Sequence, residues 1–293
     1  MTLTADLLPG VPLVESPFFE VDVSALAPEH RDVARQLHAR GYAVLDFPDP
    51  DFHAKADAIR NRLTARFNWG DPASCPPSAR VQDAWAFDAD VRDIACNASI
   101  LALLSALYGR QAFPFQTLNF PIGTQQPVHS DHIHFCSIPE RFMCGVWVAM
   151  EDVHADAGPL FYYPGSHVWP SYGNAQVGAT PGADAVMKFI RLQQEMPARL
   201  GVERETFIAR KGQALIWASN LLHGGSAQSD PTRSRWSQVT HYFFEGCRYT
   251  TPLHNDELAG KIIQRRVKDA RKGAGLAALV DAGRALFSRN RPG

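Results

Sequence analysis

The chain has 293 residues, 45% hydrophobic and 20% charged, with 29 Lys and Arg against 30 Asp and Glu for a formal net charge of −1. That balance excludes an overall field for nucleic acid or anionic lipid, and the apolar content suffices for a core without covalent staples. The five cysteines, Cys75, Cys96, Cys136, Cys144 and Cys247, are odd in number and contain no CxxC pair, which excludes a disulfide framework and a zinc knot.

From the N-terminus, MTLTADLLPGVPLVESPFFEV has no basic n-region before an apolar run. No later stretch reaches the roughly 18 uninterrupted apolar residues of a membrane span, so a cytoplasmic protein without a span is expected. Residues 27–39 place Val33 and Leu37 at helical spacing. The glycine break after Arg40 leads into GYAVLDF, a short buried strand. A second helix is predicted from about Asp51 to Phe67 and a third over residues 88–109, ended by Gly109 at a C-cap position. From Phe113 to about Tyr249 the chain reads as short strands, FQTLNF, VHSDHIHF, GVWVAME, LFYYPGS, ETFIAR, QALIWAS and WSQVTHYFFE, separated by turn residues. No repeat or low-complexity segment interrupts them. A helical front (27–109) followed by an antiparallel β core (113–249) in one domain spanning 1–293 is expected, the strands closing as a barrel or jelly roll.

Two segments stand outside this pattern. Residues 170–200 form a long Gly-, Ala- and Pro-containing excursion between strands, a candidate substrate cover. Residues 256–293 hold nine Lys and Arg against four acids and are expected to form a basic helical tail.

The densest cluster of metal-binding side chains is PVHSDHIHF, residues 127–135. Side chains two apart on a strand share a face, so His129 and Asp131 form one candidate pair and His132 and His134 a competing one. Mixed imidazole and carboxylate ligation suits a divalent iron with open positions, whereas two histidines alone suit zinc or nothing. The best third ligand is His223, at the end of QALIWASNLLHGG, where two glycines permit close backbone approach. Arg235, twelve residues on, offers a planar guanidinium able to clamp the far end of a dicarboxylate whose other end chelates the metal.

In this order the motifs resemble those of the phytanoyl-CoA dioxygenase (PhyH) family of Fe(II)- and 2-oxoglutarate-dependent oxygenases. QPVHSDHIHFCSIP is similar to the HxD segment, GVWVAMEDV to the next strand, GPLFYYPGSH to a glycine turn leading into PGSH, LLHGGS to the distal histidine and RWSQVTHYFF to the closing strand. The resemblance implies a mainly β fold with flanking helices and a double-stranded β-helix, or cupin-like jelly-roll, core. It implies His129, Asp131 and His223 as ligands of Fe(II), with 2-oxoglutarate and O2 as cosubstrates, and Arg235 as the partner of the outer carboxylate of 2-oxoglutarate. Trp147 and Arg80 match positions beside that cosubstrate. Gln116 and Ser130 occupy aligned positions where the family residue type differs, and Gly225 stands where a serine is frequent. His132, His134, His167 and His241 are assigned structural roles. Halogenating relatives carry a small residue at the carboxylate position, so Asp131 implies hydroxylation or another oxidative outcome on a small metabolite or biosynthetic intermediate. Phe135, Phe161, Tyr162 and Trp169 are candidate substrate contacts. Two other readings stay open: a cupin-like metalloenzyme that does not use 2-oxoglutarate, and a non-catalytic binding barrel. Oligomeric state is left undetermined.

Overall fold

The computed structural model describes residues 7–67, 76 and 79–273. Helix α1, Pro28–Arg40, starts with a proline in its first turn, where the missing N–H has no partner to lose. It stops at Gly41, whose left-handed φ of 79° returns its N–H to the Leu37 carbonyl. A Cβ at 41 would also fall 2.6 Å from the His167 ring, so the glycine is required twice over. Strand β1, Tyr42–Asp46, and helix α2, Phe52–Thr64, follow as read from the sequence. The third helix is two. Asp88 caps α3, Ala89–Ala95, through the Val91 N–H, and Asn97 caps α4, Ala98–Tyr108, through the Ile100 N–H. Residues 89–108 are together long and apolar enough to cross a membrane by length and composition. Their break at Asn97 and the burial of Val91, Ile94, Ile100, Leu104 and Leu107 against the sheet make them core helices instead.

The strands that follow are β2 (Val81–Gln82), β3 (Ala112–Phe120), β4 (Cys136–Ile138), β5 (Met143–Ala149), β6 (Leu160–Tyr162), β7 (Glu205–Phe207), β8 (Gln213–Ala218), β9 (His223–Gly225), β10 (Ser237–Phe244) and β11 (Arg248–Thr250). A six-stranded sheet in the order β1-β8-β5-β10-β3-β2 faces a three-stranded sheet in the order β7-β6-β9, and β4 pairs with β11. This is the jelly roll. Its large sheet is covered on both sides, which is why its strands read as nearly unbroken apolar runs. Val146, Val148, Ala214 and Ile216 pack outward on the helices. Trp147, Ala149, Leu215 and Trp217 point inward, against Leu160, Tyr162 and Phe207 of the small sheet.

Three expectations are corrected here. VHSDHIHF is not a strand throughout. It is extended to Ser130 and then turns, the Asp131 carbonyl accepting from the N–H groups of His134 (2.9 Å) and Phe135 (2.8 Å). The 170–200 excursion is more than half helix: α5, Ala183–Arg199, buries Ala185, Phe189, Gln193 and Pro197, a strict four-residue period visible in the sequence. Nor do residues 256–273 form an α-helix. They run as a strap along the β core, bridged from Thr250 to Gln264, and Arg92 of α3 donates to the carbonyls of Ala270 and Arg271. Residues 274–293 of the expected basic helix, and Cys75, lie outside the described residues.

His167, beside the α1 cap, is buried, and its Nε2 donates to the His38 carbonyl at 3.0 Å while Nδ1 has no partner. Burial pushes its imidazole down to about 4, against the hydrogen bond to His38 and with help from Arg141. An imidazole the fold keeps neutral contributes stability above its ordinary range near 6.5, and that stability is lost as pH falls toward 4; a depression of this size is worth about 3 kcal/mol. Thermal melts between pH 7 and 4 should therefore show a falling Tm below pH 6.5, with a shallower fall in His167→Gln; an unchanged slope would show that this ring does not titrate there.

Candidate metal centre

His129 and His223 meet across a single antiparallel bridge in which each N–H donates to the other's carbonyl at 2.9 Å. Directly opposed residues of such a pair send their side chains to one face, and the two ring centroids lie 4.4 Å apart. Each ring's Nδ1 lies against the carbonyl two residues before it, Pro127 at 2.9 Å and Leu221 at 3.0 Å. A carbonyl only accepts, so Nδ1 carries the proton and Nε2 presents its lone pair. Burial, then His129, push His223 down to about 4 against the pull of Asp131, so it is neutral at pH 7. Extended Ser130 returns Asp131 to the same face. One ligand atom from each of His129, Asp131 and His223 lies within 4.8 Å of the others.

Asp131 is held by a row of residues across three strands. On β8, β5 and β10, Trp217, Gly145 and His241 stand in register and face inward. Trp217 Nε1 donates to Asp131 Oδ2 at 2.7 Å, and His241 Nε2 stands 3.5 Å from the same oxygen. His241 Nδ1 in turn lies 3.0 Å from Gln116 Oε1. Burial raises the affinity of Asp131 for a proton, but His241, by charge and hydrogen bond, together with His223 and His129, outweighs it and holds the carboxyl well below the usual range. Gly145 makes this row possible, because a Cβ there would lie 2.2 Å from Trp217 Cζ2.

Arg235 is 1% exposed. One guanidinium nitrogen donates to the Gly158 carbonyl at 2.9 Å, Nε is buried without a partner, and among the described residues no acid pairs with it. Burial pushes its pKa down to about 10, so it remains charged at neutral pH. Its Cζ lies 5.8 Å from the Trp147 ring, whose Nε1 is also buried and unpartnered. A cavity of about 450 Å³ is lined by the three clustered residues with Arg235, Trp147 and Gln116, and by the half-buried Phe135 and Arg265 and the exposed Arg80.

The model of the phytanoyl-CoA dioxygenase (PhyH) family matches residues 10–235, most of the chain. The chain belongs to the phytanoyl-CoA dioxygenase family. With that membership it joins the enzymes that use iron, 2-oxoglutarate and dioxygen. Solved structures share the fold of this family member at low identity. SnoN, an epimerase from nogalamycin biosynthesis solved with Fe3+, alpha ketoglutarate and nogalamycin RO, is 22% identical over 75% of this chain and 86% of that one, with a TM-score of 0.57. The carbocyclase SnoK from the same biosynthesis is 16% identical over 81% and 92%, also at 0.57. EctD from S. alaskensis, solved with 2-oxoglutarate and 5-hydroxyectoine, is 18% identical over 88% and 89%, again at 0.57. Among curated proteins none matches.

The residues present fit the family's cofactors. Two imidazoles with fixed tautomers and an ionised carboxylate are the donor set of a ferrous ion that keeps open positions. A buried guanidinium with an unused N–H awaits an anion. Of the other residues singled out from this family's pattern, Trp147, Gln116, Arg80 and Phe135 line the cavity. Four do not. Ser130 turns its hydroxyl to Gln193 of α5, accepting at 2.9 Å beside a separate void of about 40 Å³ that Trp169 also lines. Phe161 packs on Val128 and Leu222, and Tyr162 lies tilted against Tyr42 with ring centroids 4.1 Å apart. The glycines after His223 also admit close protein packing: Cβ atoms there would strike Phe161 and the backbone at Gln125 and Gln126, while Gly224 lines the cavity. His132 is buried behind the centre, its N–H on the Ser219 carbonyl. Trp217, Gly145 and the carboxylate contact of His241 were not singled out, although a glycine inside the apolar run MCGVWVA signals close approach.

Gly145→Ala should displace the indole and lower stability by about 1–3 kcal/mol. Both it and Trp217→Phe, which removes only the N–H, should weaken Fe(II) binding about 10–100-fold in anaerobic titration. Affinity unchanged in both would mean that this hydrogen bond does not support the ligand.

Proposed function

We propose that this protein is an Fe(II)- and 2-oxoglutarate-dependent oxygenase that hydroxylates a C–H bond of a small metabolite or biosynthetic intermediate. The observation that carries the reading is the pairing of the His129, Asp131 and His223 cluster with Arg235, a buried cation with no counter-ion among the described residues, in one cavity. His129, Asp131 and His223 would hold the iron. Arg235 would hold the outer carboxylate of 2-oxoglutarate, with the Trp147 N–H beside it. When bound, iron and 2-oxoglutarate would supply the oxidising power: dioxygen, the 2-oxo acid and the substrate C–H would give the hydroxylated substrate, succinate and carbon dioxide, one oxygen atom going to each of the first two products. The chain's own work is to keep the histidine Nε2 atoms unprotonated through the Pro127 and Leu221 carbonyls. It also keeps Asp131 ionised between Trp217 and His241, and walls the centre from water with Phe120, Leu160 and Val239. The fold accommodates an epimerase and a carbocyclase, so the fate of the substrate depends on which bond it presents to the centre.

Anaerobic Fe(II) titration with and without 2-oxoglutarate tests this directly. A visible charge-transfer absorption is expected only with both, and its absence would refute the reading. His129→Ala should abolish it, and oxygen-18 transfer into a substrate, followed by mass spectrometry, would separate hydroxylation from desaturation or ring closure.

Arg235→Met removes an unpaired buried charge, so the ligand-free protein should melt at the same temperature or higher. The rise in Tm that 2-oxoglutarate gives the unsubstituted protein should disappear. A ligand-free protein clearly destabilised by this change, with 2-oxoglutarate still binding, would place the cosubstrate elsewhere.

A further inference from the structure

The chemistry above uses the inner part of the cavity. Its outer end is built from other residues, and their charge is one-sided. Two arginines, Arg80 and Arg265, line it beside His134, which burial pushes down to about 4, whereas Asp131 is the sole acid among the described lining residues. Iron, Asp131, Arg235 and a doubly charged cosubstrate cancel one another, so the outer cations are left uncompensated.

Arg265 is the best placed of them. It lies in the strap after β11, fixed by its own N–H to the Tyr249 carbonyl at 2.8 Å and by the neighbouring bridge from Thr250 to Gln264. Its guanidinium rests over the Phe135 ring at 4.5 Å from Cζ to centroid, with Phe115 at 6.0 Å. Stacking of this kind fixes the plane of the fork and leaves its edge for a ligand. Of five N–H donors, one finds an acceptor among the described residues, Thr251 Oγ1 at 3.5 Å. The acid that acts on it through space, Asp83, is already engaged by the Trp85 indole and the Thr117 N–H, with Lys268 nearby. A half-buried guanidinium without a counter-ion, on the wall of a ligand cavity, is a group waiting for an anion.

We propose that the outer end of the cavity is a subsite for an anionic group on the substrate, a carboxylate or a phosphate, held by Arg265 while an apolar part of the same molecule lies on Phe135. The inference rests on the iron and 2-oxoglutarate reading and narrows its substrate to acids.

The test begins with protein loaded anaerobically with Fe(II) and saturating 2-oxoglutarate, its charge-transfer absorption recorded before any probe is added. Failure at that step refutes the parent reading and this proposal with it. Calorimetric titration then compares phenylacetate and phenyl phosphate with neutral phenylacetamide. At least one acid should bind about tenfold or more tightly than the amide, and the better acid identifies the anion. Arg265→Gln should remove that preference while the absorption stays; Arg265→Lys, which keeps the charge and loses the fork, should retain part of it. Equal binding of acid and amide, no binding of any of the three, a preference that survives Arg265→Gln, or loss of the absorption in Arg265→Gln would each overturn the proposal, the last by assigning Arg265 to the cosubstrate.

Discussion

The site depends on two backbone hydrogen bonds. By exchanging N–H and carbonyl groups, His129 and His223 fix the register between the segment before the Asp131 turn and the first residue of β9. Register in a sheet decides which face a side chain takes, and a slip of one residue on either side would send one histidine to the opposite face. The same exchange leaves the Pro127 and Leu221 carbonyls beside the two rings, so the pairing that aims the histidines also selects their tautomers. The 93 residues between the two histidines in the chain, including β5, β6, β8 and α5, serve to bring these ends together.

Asp131 has a different support. Its position comes from the turn after Ser130, and its charge is maintained by side chains of the large sheet, Trp217 on one side and His241 on the other. The missing side chain at Gly145 creates the space between them. Arg235 shows the opposite economy. A charge buried with one carbonyl partner lowers the stability of the empty protein, and such a local conflict is expected where binding has been favoured over stability.

Much of the layout was legible in the sequence because its signals are local. Gly41 and Gly109 end helices by the left-handed conformation that only glycine adopts cheaply, and the β core shows as apolar runs between turn residues. The members of the cluster were found by residue type and order, but the reason given for two of them was incomplete: alternation along a strand holds only as far as Asp131, where the chain turns. What stayed hidden depends on long-range pairing. The strap over 256–273 reads as a basic helix because its charges say nothing of the backbone bonds that tie it to β11 and α3. The outward turn of Ser130 is decided by Gln193, 63 residues away. The row Trp217, Gly145, His241 exists only once three distant strands are in register. α5 could have been read, since Ala185, Phe189, Gln193 and Pro197 keep a helical period, but its glycines and prolines at the start suggest a loop.

The two arginines of the cavity differ in depth. Arg235 is sealed at the floor, whereas Arg265 and Arg80 stand where the cavity meets solvent. If the floor takes 2-oxoglutarate and the outer end an acidic guest, as proposed, the guest would lie across the way to Arg235, and the small diacid would have to load before it.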